Sequence, residues 1–188
     1  MRVKIRKHHM RNMLLFFAIL SLPACTLYPV NLEPPAYQVI KPGQVLQLNE
    51  NLTIPPDKAA VFIQSGNIVA SSNIIDQWSP NCRVVVQGLE ENERTIQPDD
   101  FTVIRVNYER TYALTEPVMY ASRFDGVNMS SSGALPIAEE YIIYLFLKSD
   151  KQPFVKQLIC KHWENPHDGN HLTVKQIRQA LGTIIELK

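Results

Sequence analysis

The chain has 188 residues, 20 % of them charged and 45 % hydrophobic, and a formal net charge of +1. Five of its 19 basic residues and none of its 18 acidic ones stand before Met13, so the remainder is net −4. A mildly acidic domain offers no electrostatic footprint for nucleic acid, and that class of partner is excluded on this ground.

The first stretch is asymmetric. Arg2, Lys4, Arg6, Lys7 and Arg11 precede an apolar run from Met13 to Leu22, broken only by Ser21. A basic segment, a run of about ten apolar residues and a small residue, Ala24, form the pattern of a secretory signal. The run is too short to be a membrane span, which needs roughly 20 residues. Leu22-Pro23-Ala24-Cys25 resembles the lipobox of bacterial lipoprotein precursors. The resemblance covers about the first 26 residues. It implies that Cys25 takes a diacylglycerol on its sulfur, that residues 1–24 are removed and that the new N-terminus is acylated. Thr26, rather than an aspartate, follows the cysteine, which in Gram-negative lipoproteins resembles the state sorted to the outer membrane. The expected location is therefore the outer membrane, lipid-anchored, on the periplasmic face. Two or more acyl chains hold firmly where one holds weakly. With Cys25 assigned to lipid, Cys82 and Cys160 remain as a pair in an oxidising compartment, where a disulfide is expected. The alternative is two buried free thiols.

Residues 25–43 contain Pro29, Pro34, Pro35 and Pro42 and read as an extended tether. Residues 44–188 then form one β-rich domain. Strands are expected at Val45–Leu48, Leu52–Ile54, Ala59–Gln64 with a return at Ile68–Val69, and Cys82–Gln87. Phe101–Tyr108 alternates, with Phe101, Val103 and Arg105 on one face and Ile104, Val106 and Tyr108 on the other. Thr111–Leu114 and Val118–Ala121 are weaker strands, and Asp125–Ala134 reads as a long loop. Tyr141–Leu147 is apolar at both parities, so a central strand buried on both faces is expected. It turns at Ser149–Pro153 into Phe154–Trp163, a hairpin that carries Cys160. Thr173 and Gln176 fit a capping box that opens the single convincing helix, and Gly182 closes it. Ile184–Leu187 is a last strand. The expected fold is mainly β, an antiparallel sandwich or small barrel with one short C-terminal helix.

The candidate chemistry is sparse. His162, His167 and His171 lie near Cys160, but their spacing matches no zinc pattern, and no metal or cofactor is expected. Asp99-Asp100 and Glu139-Glu140 are adjacent carboxylates. Neighbours on a strand point to opposite faces, so neither pair can act together. A cross pair such as Asp100 with Glu140 stays open. Ser130-Ser131-Ser132-Gly133 lacks the nucleophile elbow. Trp78 and Trp163 could stack on a sugar, although aromatic residues of β domains more often pack. No catalytic residue is expected. The expectation is a non-enzymatic binding or assembly module of the cell envelope with a protein partner there. The alternative is a small envelope hydrolase acting on glycans or peptides.

Overall fold

A computed structural model describes residues 33–114, 137–166 and 168–188. The signal stretch with Cys25, the Val118–Ala121 strand, the Asp125–Ala134 loop with its serines, and His167 lie outside the described residues.

The domain is mainly β, a curled antiparallel sheet of eight strands with one short helix near the C-terminus. In chain order the elements are α1 (Ala36–Val39), β1 (Val45–Leu48), β2 (Leu52–Ile54), β3 (Ala60–Gln64), β4 (Asn67–Val69), β5 (Asn81–Val86), β6 (Arg94–Ile96), β7 (Asp99–Leu114), β8 (Ile137–Lys148), β9 (Val155–Glu164), α2 (Val174–Leu181) and β10 (Ile185–Leu187). The sheet runs β10-β1-β7-β8-β9-β5-β3-β4, and β2 pairs with β6 separately. Two hairpin units, β3-β4-β5 and β7-β8-β9, thus meet along one ladder, β5 against β9.

The alternation of each strand sets its inner face. On β8, Tyr141, Ile143, Leu145 and Leu147 are buried at 0–7 % exposure, whereas Ile142, Tyr144 and Phe146 are only half-buried. β8 is central, as expected, but its second face is an outer surface of the sheet, not core. Cys82, Val84 and Val86 of β5 and Leu158 and Cys160 of β9 point inward beside it. Cys82 and Cys160 are register partners and form a disulfide, with Cα atoms 4.0 Å apart.

β7 departs from simple alternation. Val103 pairs with Leu147, but Arg105 pairs with Phe146, so Ile104 is an extra residue. Such a bulge reverses the parity of the residues after it. Ile104 is therefore exposed, and Arg105 turns outward over the Phe146 ring, 3.7 Å from its centroid. Val106 and Tyr108 face inward instead, the reverse of the expected pattern.

The tether expected over residues 25–43 also differs in its second half. Ala36 and Ile40 are buried at 0 and 1 % exposure, and the Ala36 N–H donates to Leu172 O at 2.7 Å. The prolines read as helix blockers, yet Pro35 stands at the N-cap of α1, where a missing N–H costs nothing. One helical turn then places Ala36 and Ile40 on one apolar face.

The capping box of α2 is formed as expected. Thr173 accepts from the Gln176 N–H at 3.3 Å, and Gln176 Oε1 accepts from the Thr173 N–H at 2.9 Å. The helix ends at Gly182, φ +58°, directly against Gly66 of the β3–β4 turn. A Cβ at Gly182 would sit 2.5 Å from Gly66 Cα. Both its backbone conformation and its neighbour therefore require glycine.

The disulfide and the glycine contact each set a measurable stability. The pair Cys82→Ala with Cys160→Ala lowers the unfolding free energy by about 2–4 kcal/mol, measured by urea titration against the oxidised protein. Gly182→Ala costs about 2 kcal/mol or more. Lys175→Ala, on the exposed face of α2, stays within about 0.5 kcal/mol of the parent.

Candidate functional site

The far ends of β7, β8 and β9 bring polar side chains together on the inner face. Arg110, Tyr141 and His162 form one cross-strand row, and Tyr112, Glu139 and Glu164 the next. Glu139 is 2 % exposed. It accepts from the Arg110 guanidinium and, at 2.5 Å, from the Tyr141 hydroxyl. These bonds, Arg110's first, hold the Glu139 carboxyl below its ordinary range. Burial, and then the bond to Glu139, pushes the Tyr141 phenol up to about 12.

The histidines complete this cluster. His171 lies edge-on to Tyr141, centroids 4.7 Å apart, and also edge-on to Tyr37 and Tyr108, which stack on each other at 4.2 Å. His162 is 1 % exposed, and its Nε2 lies 3.0 Å from Asn170 O. A carbonyl only accepts, so Nε2 carries the proton and Nδ1 is bare in the neutral ring. Burial lowers the basicity of both imidazoles; the neighbouring charge of Arg110 adds to the effect at His171. The space left among Tyr37, Tyr108, Tyr141 and His171 is about 10 Å³, one water's worth rather than a substrate's.

This arrangement answers the sequence candidates one by one. Cys160 is in the disulfide, and His162 and His171 are spent on Asn170 and on aromatic rings. Among the described residues, no three of His, Cys, Asp and Glu are placed to hold a metal ion. Glu140 points outward, accepting from Lys161 at 2.7 Å and from the Trp163 indole at 3.2 Å, while Glu139 points inward. Asp99 accepts from Ser149 at 2.5 Å and its carboxyl lies below the ordinary range; burial works against this, and the bonds from Ser149 and Gln152 outweigh it. The cross pair fails on distance. Asp100 pairs with Gln47 at one end of β7, and Glu140 with Thr111 near the other, about 35 Å away at roughly 3.3 Å per residue. Trp78 and Trp163 meet edge-to-face at 5.9 Å. Arg110, Tyr37 and Tyr108 escape sequence reasoning because their meeting depends on the bulge at Ile104 and on the packing of α1.

The open space lies on the other side of the sheet. A groove of about 680 Å³ crosses β4, β3, β5 and β9. That volume is in the roughly 300–1,000 Å³ range of ligand sites. One cross-strand row, Val69, Phe62, Arg83 and Ile159, runs along it, and Val85 adjoins. Lys58, Ser71, Ser72 and Gln157 contribute its polar edge. The floor is thus apolar with one cation, Arg83, whose buried Nε has no hydrogen-bond partner among the described residues. Gln157 also borders a second hollow of about 560 Å³ floored by Ile104 and Phe146.

The buried imidazoles make stability depend on pH. Their folded pKa values lie below the ordinary 6.5, so the unfolded chain binds protons that the fold does not. Their contribution is complete above about pH 6.5 and is lost as pH falls below it. The urea midpoint is expected to drop between pH 7.5 and pH 5.5, and His162→Gln to flatten that drop while lowering stability at both values.

A scan against protein-family models finds no match, and searches of curated proteins and of solved structures return none either.

Proposed function

We propose that the chain is a bacterial lipoprotein held by lipid on Cys25 at the periplasmic face of the outer membrane. Its domain binds a partner there and performs no catalysis. One observation carries the second half of this reading. On the inner face Arg110, Glu139 and Tyr141 are spent on one another beside a void of about 10 Å³, with Glu164, its carboxyl pushed up by burial, accepting no hydrogen bond among the described residues, while the roomy groove is apolar with a single free-standing cation on its floor. A general base must be able to take a proton, and Glu139, ionised and occupied on both oxygens, has no such capacity. A ligand site needs a shaped apolar floor with a few polar groups, and the groove supplies both. The disulfide between Cys82 and Cys160 is consistent with export. The groove on β3, β5 and β9 is the binding surface in this reading.

Two measurements test it. Cys25→Ala shifts the protein from the membrane to the soluble envelope fraction, and the wild type carries an acyl adduct by mass spectrometry. Undiminished membrane retention without an adduct sinks the anchor. A photo-reactive residue at Val69 captures an envelope component in living cells, and one at exposed Tyr112, distant from the groove, does not. Equal capture from both positions sinks the groove as the binding surface.

A further inference from the structure

We infer that the groove across β4, β3, β5 and β9 takes an acyl carboxylate, its chain along the apolar floor and its head on Arg83. The inference rests on the reading of this groove as the binding surface, and it names the ligand chemistry.

Three observations select that ligand. The first is the floor. Phe62, Val85 and Ile159 present apolar side chains from strands whose edges are all taken: β3 pairs with β4 and β5, β5 with β3 and β9, β9 with β5 and β8. Within β3, β5 and β9 the backbone is laddered on both sides, which leaves a free edge only at β4. An extended peptide laid there would leave its own amides unpaired against carbon, which costs affinity at every residue. An acyl chain has no such groups to satisfy. The edge strand β4 has only three residues, Asn67–Val69, too few to anchor an added strand.

The second is the cation. Arg83 stands between Phe62 and Ile159 in the cross-strand row, and its Nε lies buried without a partner among the described residues. Nε has no accessible surface, so the donors a carboxylate in the groove would meet are the two terminal nitrogens of the guanidinium, which make no hydrogen bond among the described residues.

The third is the charge of the face. Lys58 and Arg83 line the groove, no carboxylate lines it among the described residues, and neither cation forms an ion pair there, although the chain after the signal stretch is net −4. The local field therefore favours an anion on a protein whose overall charge repels one.

Calorimetric titration of the domain with sodium octanoate, with 1-octanol and with a blocked acidic pentapeptide tests the inference. Octanoate is expected to bind one to one and about tenfold tighter than octanol, as a charge-assisted bond predicts. Arg83→Gln is expected to erase that difference. Val69→Trp, which fills the groove from an edge strand, is expected to abolish binding of both, with the urea midpoint reporting that each variant is folded. Equal binding of octanoate and octanol, or octanoate binding unchanged by Arg83→Gln, overturns the head-group assignment. No binding of either probe, or binding unchanged by Val69→Trp, overturns the acyl ligand. Tighter binding of the peptide than of octanoate replaces it with a protein partner. These outcomes are separate from the cellular capture at Val69, which can succeed with any occupant of the groove.

Discussion

The sheet is joined at one seam. β3, β4 and β5 come early in the chain, β7, β8 and β9 come late, and the ladder between β5 and β9 links them. The disulfide closes on that ladder, at the register pair Cys82 and Cys160, which lie 78 positions apart in sequence. In the chain-entropy picture, ordering so long a loop is what the bridge removes from the cost of folding. A slip of β5 by one residue along the seam would turn Cys82 and Val84 out of the core and Arg83 into it. Arg83 cannot be buried there unpaired without a large desolvation cost. The register is thus fixed from both faces. Apolar side chains and the disulfide hold the inner face, and on the outer face the same pairing places Arg83 beside Ile159 to make the groove. The groove and the stability of the sheet share one ladder.

Local signals were legible in the sequence, and non-local ones were not. The Thr173 capping box, the glycine stop at Gly182 and the β-branched run at Cys82–Gln87 each act within a few residues, and each appears in the structure as read. The disulfide was accessible because few cysteines leave few choices. The parity of β7 beyond Val103 was not, since a single inserted residue at Ile104 is invisible in a run that alternates equally well in either phase. The second face of β8 illustrates the same limit. Ile142, Tyr144 and Phe146 are apolar enough for a core, but no layer of described residues covers them, and they form the outer surface near the groove. Composition records that a strand is apolar on both sides; only topology decides which side is covered.

The polar cluster on the inner face has a structural role that its chemistry explains. Tyr37 comes from α1, Tyr108 and Arg110 from β7, Glu139 and Tyr141 from β8, His162 from β9, and His171 from the loop before α2. Four strand or helix elements and one loop therefore converge where the curled sheet would otherwise stand open. A buried carboxylate costs several kcal/mol to desolvate, and a partner returns most but not always all of it. Of the two bonds to Glu139, the one from Arg110 crosses from β7 and so depends on the β7–β8 register, whereas the Tyr141 hydroxyl reaches Glu139 along the same strand. The Tyr37–Tyr108 stack and the edge-on contact of Tyr37 with His171 hold α1 on the sheet, which is why Pro34 and Pro35 lead into a packed turn instead of a free tether.

That packing changes the geometry of anchoring. If the domain starts at Glu33, only the eight residues from Cys25 separate it from a lipid on that cysteine, and they reach at most about 28 Å at roughly 3.5 Å per residue. A tether running to Gly43 would have more than doubled this reach. A groove that takes an acyl carboxylate, as proposed, would be useful at a bilayer surface, because such ligands are dilute in water and concentrated there. In the proposed reading the anchor and the groove would reinforce each other: one would place the domain at the source, and the apolar floor with its single arginine would select among what is found there.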